Sequence, residues 1–240
     1  MCYHGAKVFD IADLEAYYAL TSSQFAFDQW QALYHDNGFD HNPSPILLKE
    51  GLGNFAWGLI PWYTKSQEEA AMVRNKTLNA ISEEMYDKPA FRDAANEGRR
   101  CLIPFTGFYE WQWLDAKGKE KIPHHIFVRG QKIFSVAGIY SAWHDKSSGE
   151  KIHTYAALTT KANSLMEHIH NSKKRMPVIL PREYEKDWLN PNLTKDDVLQ
   201  PLDASRMDAY TISKRITSKK DPTNVPQVLE KFNYEPTTLF

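Results

Sequence analysis

Apolar residues recur at helical intervals in the first part of the chain and gather into short runs further along. The helical period predicts one or two helices within residues 13–36, and further helices over residues 66–74 and 82–97, the last with a break and restart at Asp87 and Pro89. Two prolines in close succession break both helix and sheet, so residues 41–45 are predicted to form a loop. This loop would separate the first helical region from the first strands.

Runs of β-branched and aromatic residues, each of strand length, dominate the chain from residue 101 onward. With two earlier runs, the predicted strands are residues 46–48, 55–60, 101–104, 107–111, 125–128, 133–137, 154–158, 177–180 and 209–212. Gly118 and Gly130 lie in turns between such runs, which indicates antiparallel hairpins. Short helices are predicted over residues 164–170, 183–189 and 195–199. Because helices and strands are segregated, the sequence predicts one α+β domain with a mainly antiparallel sheet system.

Composition and charge exclude several classes of protein. The 240 residues are 42% hydrophobic and 25% charged, which excludes a mainly disordered chain. No run of about 18 apolar residues exists, so no membrane-spanning helix is expected. The 29 basic and 30 acidic residues give a net charge of −1, which excludes a basic nucleic-acid coat but not a local basic groove. Two cysteines make no disulfide framework, and a reducing, cytoplasmic location is expected.

Cys2 is the first candidate for chemistry, because removal of Met1 would leave a free α-amine beside a thiol. Methionine aminopeptidases remove Met1 when residue 2 is small. The amine has an ordinary pKa of about 7.7–8.0 and the thiol one of about 8.5, so both are partly deprotonated near neutral pH. The amine can form a Schiff base with an aldehyde, and the thiolate can then close a thiazolidine ring. An incidental second residue is the competing interpretation.

Glu110 and His170 are candidates for proton transfer. Glu110 lies among Phe, Tyr and Trp in residues 107–111, where partial burial would raise its pKa and suit it to general acid catalysis. A glutamate facing water from an edge strand is the alternative. His170 titrates near neutral pH unless perturbed. His168 and His170 do not share a helical face, and the other histidines show no metal-ligand spacing, so no metal or cofactor is predicted.

A local surface for nucleic acid is predicted from one aromatic and four basic residues. These candidates are Trp62, Arg74, Lys173, Lys174 and Arg175. Trp62 is expected to be exposed and able to stack on a base. The basic residues are expected to contact phosphates, although a solvated charge run is the commoner role for three consecutive cations. Asn79 either caps a helix or holds a substrate or the N-terminal amine by hydrogen bonds.

Several short motifs, taken in order, resemble the SRAP domain (SOS response-associated peptidase) family. The motifs are Met1-Cys2, Trp57-Gly58-Leu59-Ile60-Pro61, Leu78-Asn79-Ala80, Arg100-Cys101-Leu102-Ile103-Pro104, Gly107-Phe108-Tyr109-Glu110-Trp111, Ala162-Asn163, Ile169-His170 and Arg175-Met176-Pro177-Val178-Ile179-Leu180. The resemblance spans residues 2–217 and implies one SRAP-like domain over residues 1–240, with a barrel-like β core flanked by helices. It also implies a protein that shields abasic sites in single-stranded DNA by a covalent crosslink through its N-terminal cysteine.

The resemblance further implies a role for each of four residues. Cys2 is the expected nucleophile, and Asn79 orients its amine and the sugar. Glu110 is the expected acid and base that opens the abasic deoxyribose and assists ring closure. His170 is expected to stabilise or shuttle protons at the opened sugar hydroxyl. The expected partner is single-stranded DNA with abasic sites, bound by a monomer without a cofactor.

Two departures from the family pattern bear on these expectations. Ile81 stands where the family usually has an arginine that contacts a DNA phosphate. Four residues separate His170 from Arg175, where the family usually has one or none. The first departure removes one expected phosphate contact. The second puts the equivalence of His170 in question, although Lys173 and Lys174 lie in the insertion and bring charge.

Three other classes of function remain open on the sequence. An N-terminal-cysteine amidohydrolase also needs a free α-amine, there as the general base. A thiol peptidase acting on itself or on another protein would use Cys2 with His170 as a dyad. A non-covalent binder of single-stranded DNA would use the same basic groove. Amide hydrolysis leaves Glu110 and the basic run at Lys173 without an evident task.

Overall fold

The computed structural model describes residues 2–20, 30–192 and 196–235. The strands in these ranges are β1 (His4–Lys7), β2 (Leu33–Asn37), β3 (Pro43–Leu48), β4 (Gly51–Trp57), β5 (Asn79–Ile81), β6 (Arg100–Phe105), β7 (Gly107–Trp113), β8 (Lys121–Val128), β9 (Phe134–His144), β10 (Lys151–Lys161), β11 (Arg175–Pro177), β12 (Ile179–Leu180) and β13 (Met207–Thr211). The α-helices are α1 (Ile11–Tyr18), α2 (Gln67–Arg74), α3 (Arg92–Asn96), α4 (Ser164–Ile169) and α5 (Arg182–Leu189). None of these helices is long and apolar enough to cross a membrane.

Five strands close into a barrel. Strand β10 pairs with β4 in parallel and with β9 in the antiparallel sense. Antiparallel pairs of β4 with β3, β3 with β6 and β6 with β9 complete the ring. The short strands β5, β11 and β12 add to this sheet at its margins. The prediction of an α+β fold with a mainly antiparallel, barrel-like core is confirmed.

A second, fully antiparallel sheet has the strand order β13-β8-β7-β1-β2. The turn at Gly118 joins β7 to β8, so the hairpin predicted there is confirmed. The turn at Gly130 instead connects β8 to β9, which belongs to the barrel, so the hairpin predicted there is wrong. Strand β1 lies inside this sheet, paired with β2 on one side and β7 on the other. The chain from His4 to Lys7 is therefore held in the middle of a sheet.

Two apolar clusters separate the layers of the molecule. One includes Trp57 and Phe105 from the barrel together with Phe108 from the second sheet. The other includes Leu102 and Trp188, and joins the barrel to α5. Successive residues of β6 contribute to different clusters because side chains of a strand alternate between its faces. The barrel is thus covered by the second sheet in one place and by helices in another.

A buried ion pair joins the second sheet to the barrel. Lys7 on β1 is fully buried, and its Nζ lies 2.7 Å from Oδ2 of Asp36 on β2. The same ammonium donates to Ser44 Oγ at 2.8 Å and to Tyr155 OH at 2.9 Å, both on barrel strands. A charge without these partners would be strongly destabilising in this position. The network therefore fixes β1 against the barrel.

Three local predictions are wrong. Within residues 13–36 the helix ends at Tyr18, residues 21–29 lie outside the described ranges, and residues 33–36 belong to β2. That stretch is a strand because it pairs with β1, and tertiary pairing overrides a local helical period.

Two prolines also lie inside a strand rather than in the predicted loop. Pro43 and Pro45 lie in β3 and face β4 in register. Strand β6 pairs with β3 only at Leu47, so the missing N–H groups of the prolines interrupt no ladder on that side. In residues 82–97, the helix predicted to restart after a break at Asp87 and Pro89 is α3, whereas turns occupy the residues before the break, where the first part of the helix was predicted.

Candidate active site

Three reactive side chains from distant parts of the sequence meet beside the start of β1, in the second sheet. Cys2 Sγ, a carboxylate oxygen of Glu110 and a ring nitrogen of His170 all lie within 4.8 Å of one another. His170 Nε2 lies 3.7 Å from Glu110 Oε2. All three residues are about 5% exposed or less. The candidate residues Cys2, Glu110 and His170 are therefore brought together in one buried cluster.

The position of Cys2 beside Glu110 follows from the pairing of their strands. Antiparallel pairing of β1 with β7 places Gly5 opposite Phe108, so the residues before β1 run alongside the middle of β7. The Cys2 thiol and the Glu110 carboxyl are hydrogen-bonded to each other. Burial, followed by the charge of Glu110, raises the pKa of the Cys2 thiol well above its ordinary value. The thiol is thus held in its neutral form near pH 7 as long as it stays buried beside Glu110.

Glu110 has the properties of a general acid and base. Burial raises its pKa from 4.5 to about 7, so near neutral pH the carboxyl is divided between its two protonation states. Its Oε1 atom is buried and accepts no hydrogen bond from the described residues. The alternative of a glutamate facing water is wrong, because the residue is 5% exposed.

His170 is oriented by the backbone. It caps the C-terminal end of α4, and its Nδ1 lies 2.7 Å from the Arg175 carbonyl oxygen. A carbonyl only accepts hydrogen bonds, so Nδ1 carries the hydrogen and Nε2 is the acceptor nitrogen that faces Glu110. Burial lowers the pKa of His170 to about 4, which keeps the ring neutral near pH 7. His170 is therefore a hydrogen-bond acceptor and base rather than a cation.

The longer spacing between His170 and Arg175 is absorbed by a turn. The backbone N–H groups of Lys173 and Lys174 both donate to the His170 carbonyl, at 3.2 and 2.8 Å. Lys174 adopts φ 50°, which closes the turn. The insertion therefore leaves His170 beside Glu110.

Asn79 contacts the backbone of the candidate nucleophile. It begins β5, which pairs with β10, and its Nδ2 donates to the Cys2 carbonyl oxygen at 2.9 Å. Its Oδ1 is buried and has no hydrogen-bond partner among the described residues. The helix-capping alternative is wrong because Asn79 lies in a strand. One amide oxygen is left to accept a hydrogen bond beside Cys2.

The residues predicted to bind DNA differ in how exposed their side chains are and in whether those side chains have hydrogen-bond partners. Trp62 is 63% exposed, and its indole N–H donates to Asp93 Oδ2 at 2.6 Å. Lys173 and Lys174 are exposed. Arg74 at the end of α2 is half-buried, and its Nε and Nη2 have no partner among the residues described. These four roles stay predictions.

Arg175 already has protein partners. Its guanidinium forms a two-bond ion pair with Glu83, at 2.8 and 2.7 Å, and donates to the Thr159 carbonyl at 2.6 Å. Thr159 is the residue that pairs with Ile81 across β10 and β5. An arginine side chain therefore reaches the partner of Ile81, although position 81 itself carries none. Its predicted phosphate contact would compete with Glu83.

The sequence analysis missed a basic cavity beside the cluster. This cavity has a volume of about 430 Å³ and is lined by His4, Trp111, Gly118, Lys119, Lys121, Lys214 and Thr217. His4 also lines the small space next to Cys2, so the two are adjacent. Lys119 and Lys121, which closely follow Gly118 in the sequence, were a local signal. Lys214 comes from a distant part of the chain, and no spacing along the sequence would have added it.

The fold and the buried cluster agree with the family that the sequence matches. Residues 1–219 match the family described as SOS response associated peptidase (SRAP), and the chain belongs to this family. Among its relatives is the abasic site processing protein YoqW of Bacillus subtilis, which is 38% identical in an alignment 222 residues long that covers 86% of this chain and 92% of YoqW. The family predicted from the motifs is confirmed.

More distant relatives and solved structures extend the comparison. The abasic site processing protein HMCES of Xenopus tropicalis is 27% identical in an alignment 192 residues long that covers 68% of this chain and 55% of that protein. A crystal structure of a protein from Bacteroides thetaiotaomicron has a TM-score of 0.89 and 36% identity, and covers 97% of this chain and 100% of its own. A protein from Bordetella bronchiseptica has a TM-score of 0.74 at 25% identity, covering 88% and 100%.

Proposed function

We propose that this protein processes abasic sites in single-stranded DNA by forming a thiazolidine crosslink through Cys2 after removal of Met1. The observation that carries the proposal is the buried cluster of Cys2, Glu110 and His170, within 4.8 Å of one another at the N-terminus. An N-terminal amine, a thiol and an acid–base pair are the groups that this condensation needs. The names of the relatives YoqW and HMCES support abasic sites as the substrate.

The first step exposes the aldehyde of the abasic sugar. The protonated Glu110 carboxyl gives its proton to the ring oxygen as the bond from C1′ to that oxygen breaks, and the C1′ hydroxyl passes its own proton, through water, to the Glu110 carboxylate, which is then ready to act again as an acid. This leaves an aldehyde at C1′ and a hydroxyl at C4′. The pKa of about 7 gives Glu110 both a proton to donate and the capacity to take one back.

Ring closure then forms two bonds to C1′ and releases one water molecule. The Cys2 amine adds to the aldehyde, and Glu110 protonates the resulting hydroxyl as it leaves, which gives a Schiff base. The Cys2 sulfur adds to the same carbon, and the amine nitrogen keeps one hydrogen. The water carries the aldehyde oxygen, one amine hydrogen and the thiol hydrogen, so the atoms balance without an oxidant or a cofactor.

His170 and Asn79 would position these groups. His170 Nε2 is an acceptor because Nδ1 is bonded to the Arg175 carbonyl, and it would accept from the hydroxyl of the opened sugar. Asn79 holds the Cys2 carbonyl through its Nδ2, and its Oδ1 is the atom that would accept a hydrogen from the freed amine. Both side chains would act on orientation and proton position.

A single strand fits the site better than a duplex because the sugar must reach a buried cluster. Since the net charge is −1, phosphate contacts have to be local, and Arg74, Lys173 and Lys174 are the proposed contacts, with Trp62 as a stacking surface. We propose a monomer in a reducing, cytoplasmic compartment, which would keep the free thiols of Cys2 and Cys101 reduced.

A thiol peptidase is a weaker interpretation of the same cluster. Such an enzyme activates its cysteine as a thiolate, commonly beside a charged histidine. Here burial and Glu110 raise the pKa of Cys2, and burial lowers the pKa of His170 to about 4. Both shifts oppose a thiolate–imidazolium pair. A crosslink that begins with amine attack does not need that pair.

The test is incubation with a single-stranded oligonucleotide in which one base has been excised. The wild-type protein, with Met1 removal verified by intact mass, should give a heat-stable shifted band on a denaturing gel. Cys2→Ala should give none, because its amine forms only a labile Schiff base. Cys101→Ala is the matched control, since Cys101 is the other free cysteine and is fully buried, and it should crosslink normally.

Two further arms separate the competing functions. An oligonucleotide whose abasic aldehyde has been reduced to an alcohol should bind without crosslinking. A variant with one extra residue before Cys2 keeps the thiol but not its amine, and should also fail to crosslink. A stable adduct of Cys2→Ala without a reducing agent, or no adduct with the processed wild-type protein, would refute the proposal.

A further inference from the structure

We propose that the cluster of Cys2, Glu110 and His170 is also a binding site for a zinc-like divalent cation, and that this cation reversibly blocks crosslinking. The blocking effect rests on the proposed function, whereas the binding of the cation does not. Spacing along the sequence predicted no metal site. The fold nevertheless brings three ligands together. They are Glu110 from β7, His170 at the C-terminal end of α4, and Cys2, which precedes β1.

The donor atoms are those that zinc prefers. A cysteine sulfur, an imidazole nitrogen and a carboxylate oxygen are its three common protein ligands, with bonds of about 2.0–2.3 Å. Tetrahedral geometry at those lengths separates neighbouring ligand atoms by about 3.3–3.8 Å. His170 Nε2 and Glu110 Oε2 are 3.7 Å apart, and no pair in the cluster exceeds 4.8 Å. Side-chain shifts of about 1 Å would therefore complete the geometry.

The surroundings of the cluster are also those of a metal site. His170 donates its Nδ1 hydrogen to the Arg175 carbonyl, which directs Nε2 toward the other two ligands, as backbone carbonyls do for metal-bound histidines. Glu110 Oε1 is buried without a hydrogen-bond partner among the residues described. Burying a thiolate and a carboxylate together is costly, and a divalent cation between them would offset that cost.

Removal of Met1 adds a fourth ligand on the same residue. The α-amine nitrogen and the sulfur of Cys2 can close a five-membered chelate ring with one cation. Binding would displace the thiol proton to solvent and leave all oxidation states unchanged. The cation would then hold the electron pairs of both atoms that must attack C1′. A crosslink cannot form until the cation leaves.

A metal-free preparation and cobalt(II) as a spectroscopic probe test the binding. Cobalt should produce a sulfur-to-metal charge-transfer band in the near ultraviolet at one equivalent, and zinc should remove it. Cys2→Ala should abolish the band, and His170→Ala should weaken cobalt affinity by about tenfold or more, the scale of a lost ligand contact. His168→Ala is the matched control because His168 is exposed and bonds to Gln112 instead, so it should bind cobalt normally.

The blocking effect is measured by crosslinking in zinc buffers. At a free zinc concentration ten times the measured Kd, about a tenth of the protein stays metal-free, so the crosslinking rate should fall about tenfold. Excess chelator should restore it. Magnesium should have no effect, because it binds poorly to thiolate and imidazole ligands.

The outcomes distinguish this inference from the proposed function. Absence of a cobalt band, or a band that persists in Cys2→Ala, would overturn the metal site even if crosslinking proceeds normally. A cobalt band with an undiminished crosslinking rate in zinc would overturn the blocking effect. If added cobalt gives the band but the metal-free protein never crosslinks, the metal site is supported and the proposed function is refuted.

Discussion

Glu110→Gln should make the folded protein more stable at alkaline pH, because the native carboxyl ionises at a cost. Burial raises its pKa from 4.5 to about 7, so the folded state holds this proton more tightly than the unfolded state. The stabilising contribution is full below pH 4.5 and is lost as the pH rises through about 7. Glutamine stays neutral throughout and avoids this loss.

The size of the effect follows from the two pKa values. A shift from 4.5 to about 7 at about 1.36 kcal/mol per unit corresponds to about 3 kcal/mol at pH 8. In a chain of this size about 1 kcal/mol moves the melting temperature by about 2–4 °C, so the expected gain is about 6–12 °C. Glutamine also changes local hydrogen bonding by an amount that does not depend on pH. The quantity to compare is therefore how the difference in unfolding free energy between variant and wild type changes with pH.

The assay is thermal or urea unfolding of both proteins at intervals from pH 4.5 to 8.5. The variant should gain about 3 kcal/mol relative to the wild type across that range. Ionisation of His170 occurs in both proteins and largely cancels in the difference. Glu83→Gln is a control of opposite sign, because the hydrogen bond from Arg175 lowers the pKa of Glu83 to about 2. That variant should be less stable than the wild type throughout the range, with little dependence on pH.

A difference between Glu110→Gln and the wild type that does not vary with pH would refute this reasoning. Glu110 would then titrate as an ordinary carboxylate. The argument that it holds a proton for catalysis near neutral pH would lose its physical basis, whatever the crosslinking assay gives.

Three further predictions concern rate, binding and the core. Glu110→Gln should slow crosslinking by about 10²–10⁴-fold in single-turnover gels and leave DNA affinity, measured by anisotropy, almost unchanged. If the variant instead loses affinity and keeps a normal rate, Glu110 is a binding residue. Lys173→Ala with Lys174→Ala should reduce the slope of log affinity against log salt by about 1.4, and an unchanged slope would mean a solvated charge run. Lys7→Met should cost about 3–5 kcal/mol of unfolding free energy by leaving Asp36 buried without its partner. Adding Asp36→Leu should recover part of that loss, and no recovery would contradict the charge argument.

Several strands of both sheets were predictable because the composition of short local runs indicates them. The runs that became β6, β7 and β10 contain β-branched and aromatic residues in lengths typical of strands, and each gave a strand close to the predicted place. Strand β2 was not predictable in this way. Its side chains follow a helical period, and only the partner strand β1, some thirty residues earlier, makes it extended.

The candidate site was predictable only in part. Each of Cys2, Glu110 and His170 was chosen for its own chemistry or through the resemblance to a family, and no spacing along the chain shows that they meet. Their meeting depends on the pairing of β1 with β7 and on the end of α4, which are tertiary facts. The metal-ligand geometry and the basic cavity at His4 went unnoticed for the same reason. Local periodicity describes single elements, whereas a site is made where distant elements cross.

The burial of Cys2 beside the interior strand β1 bears on when Met1 could be removed from this protein. An aminopeptidase must draw the first residues of its substrate into its own active site, and here the Cys2 carbonyl is bonded to Asn79 and β1, from His4 onward, has neighbours on both sides. Cys2 itself is 5% exposed, so on the proposed chemistry Met1 is expected to leave during synthesis, before the second sheet closes around Cys2. A chain that folds first would keep an unreactive N-terminus until it unfolds. On the proposed chemistry, the number of competent molecules is set at translation, and each one that crosslinks can be replaced only by new synthesis or by reversal of its adduct.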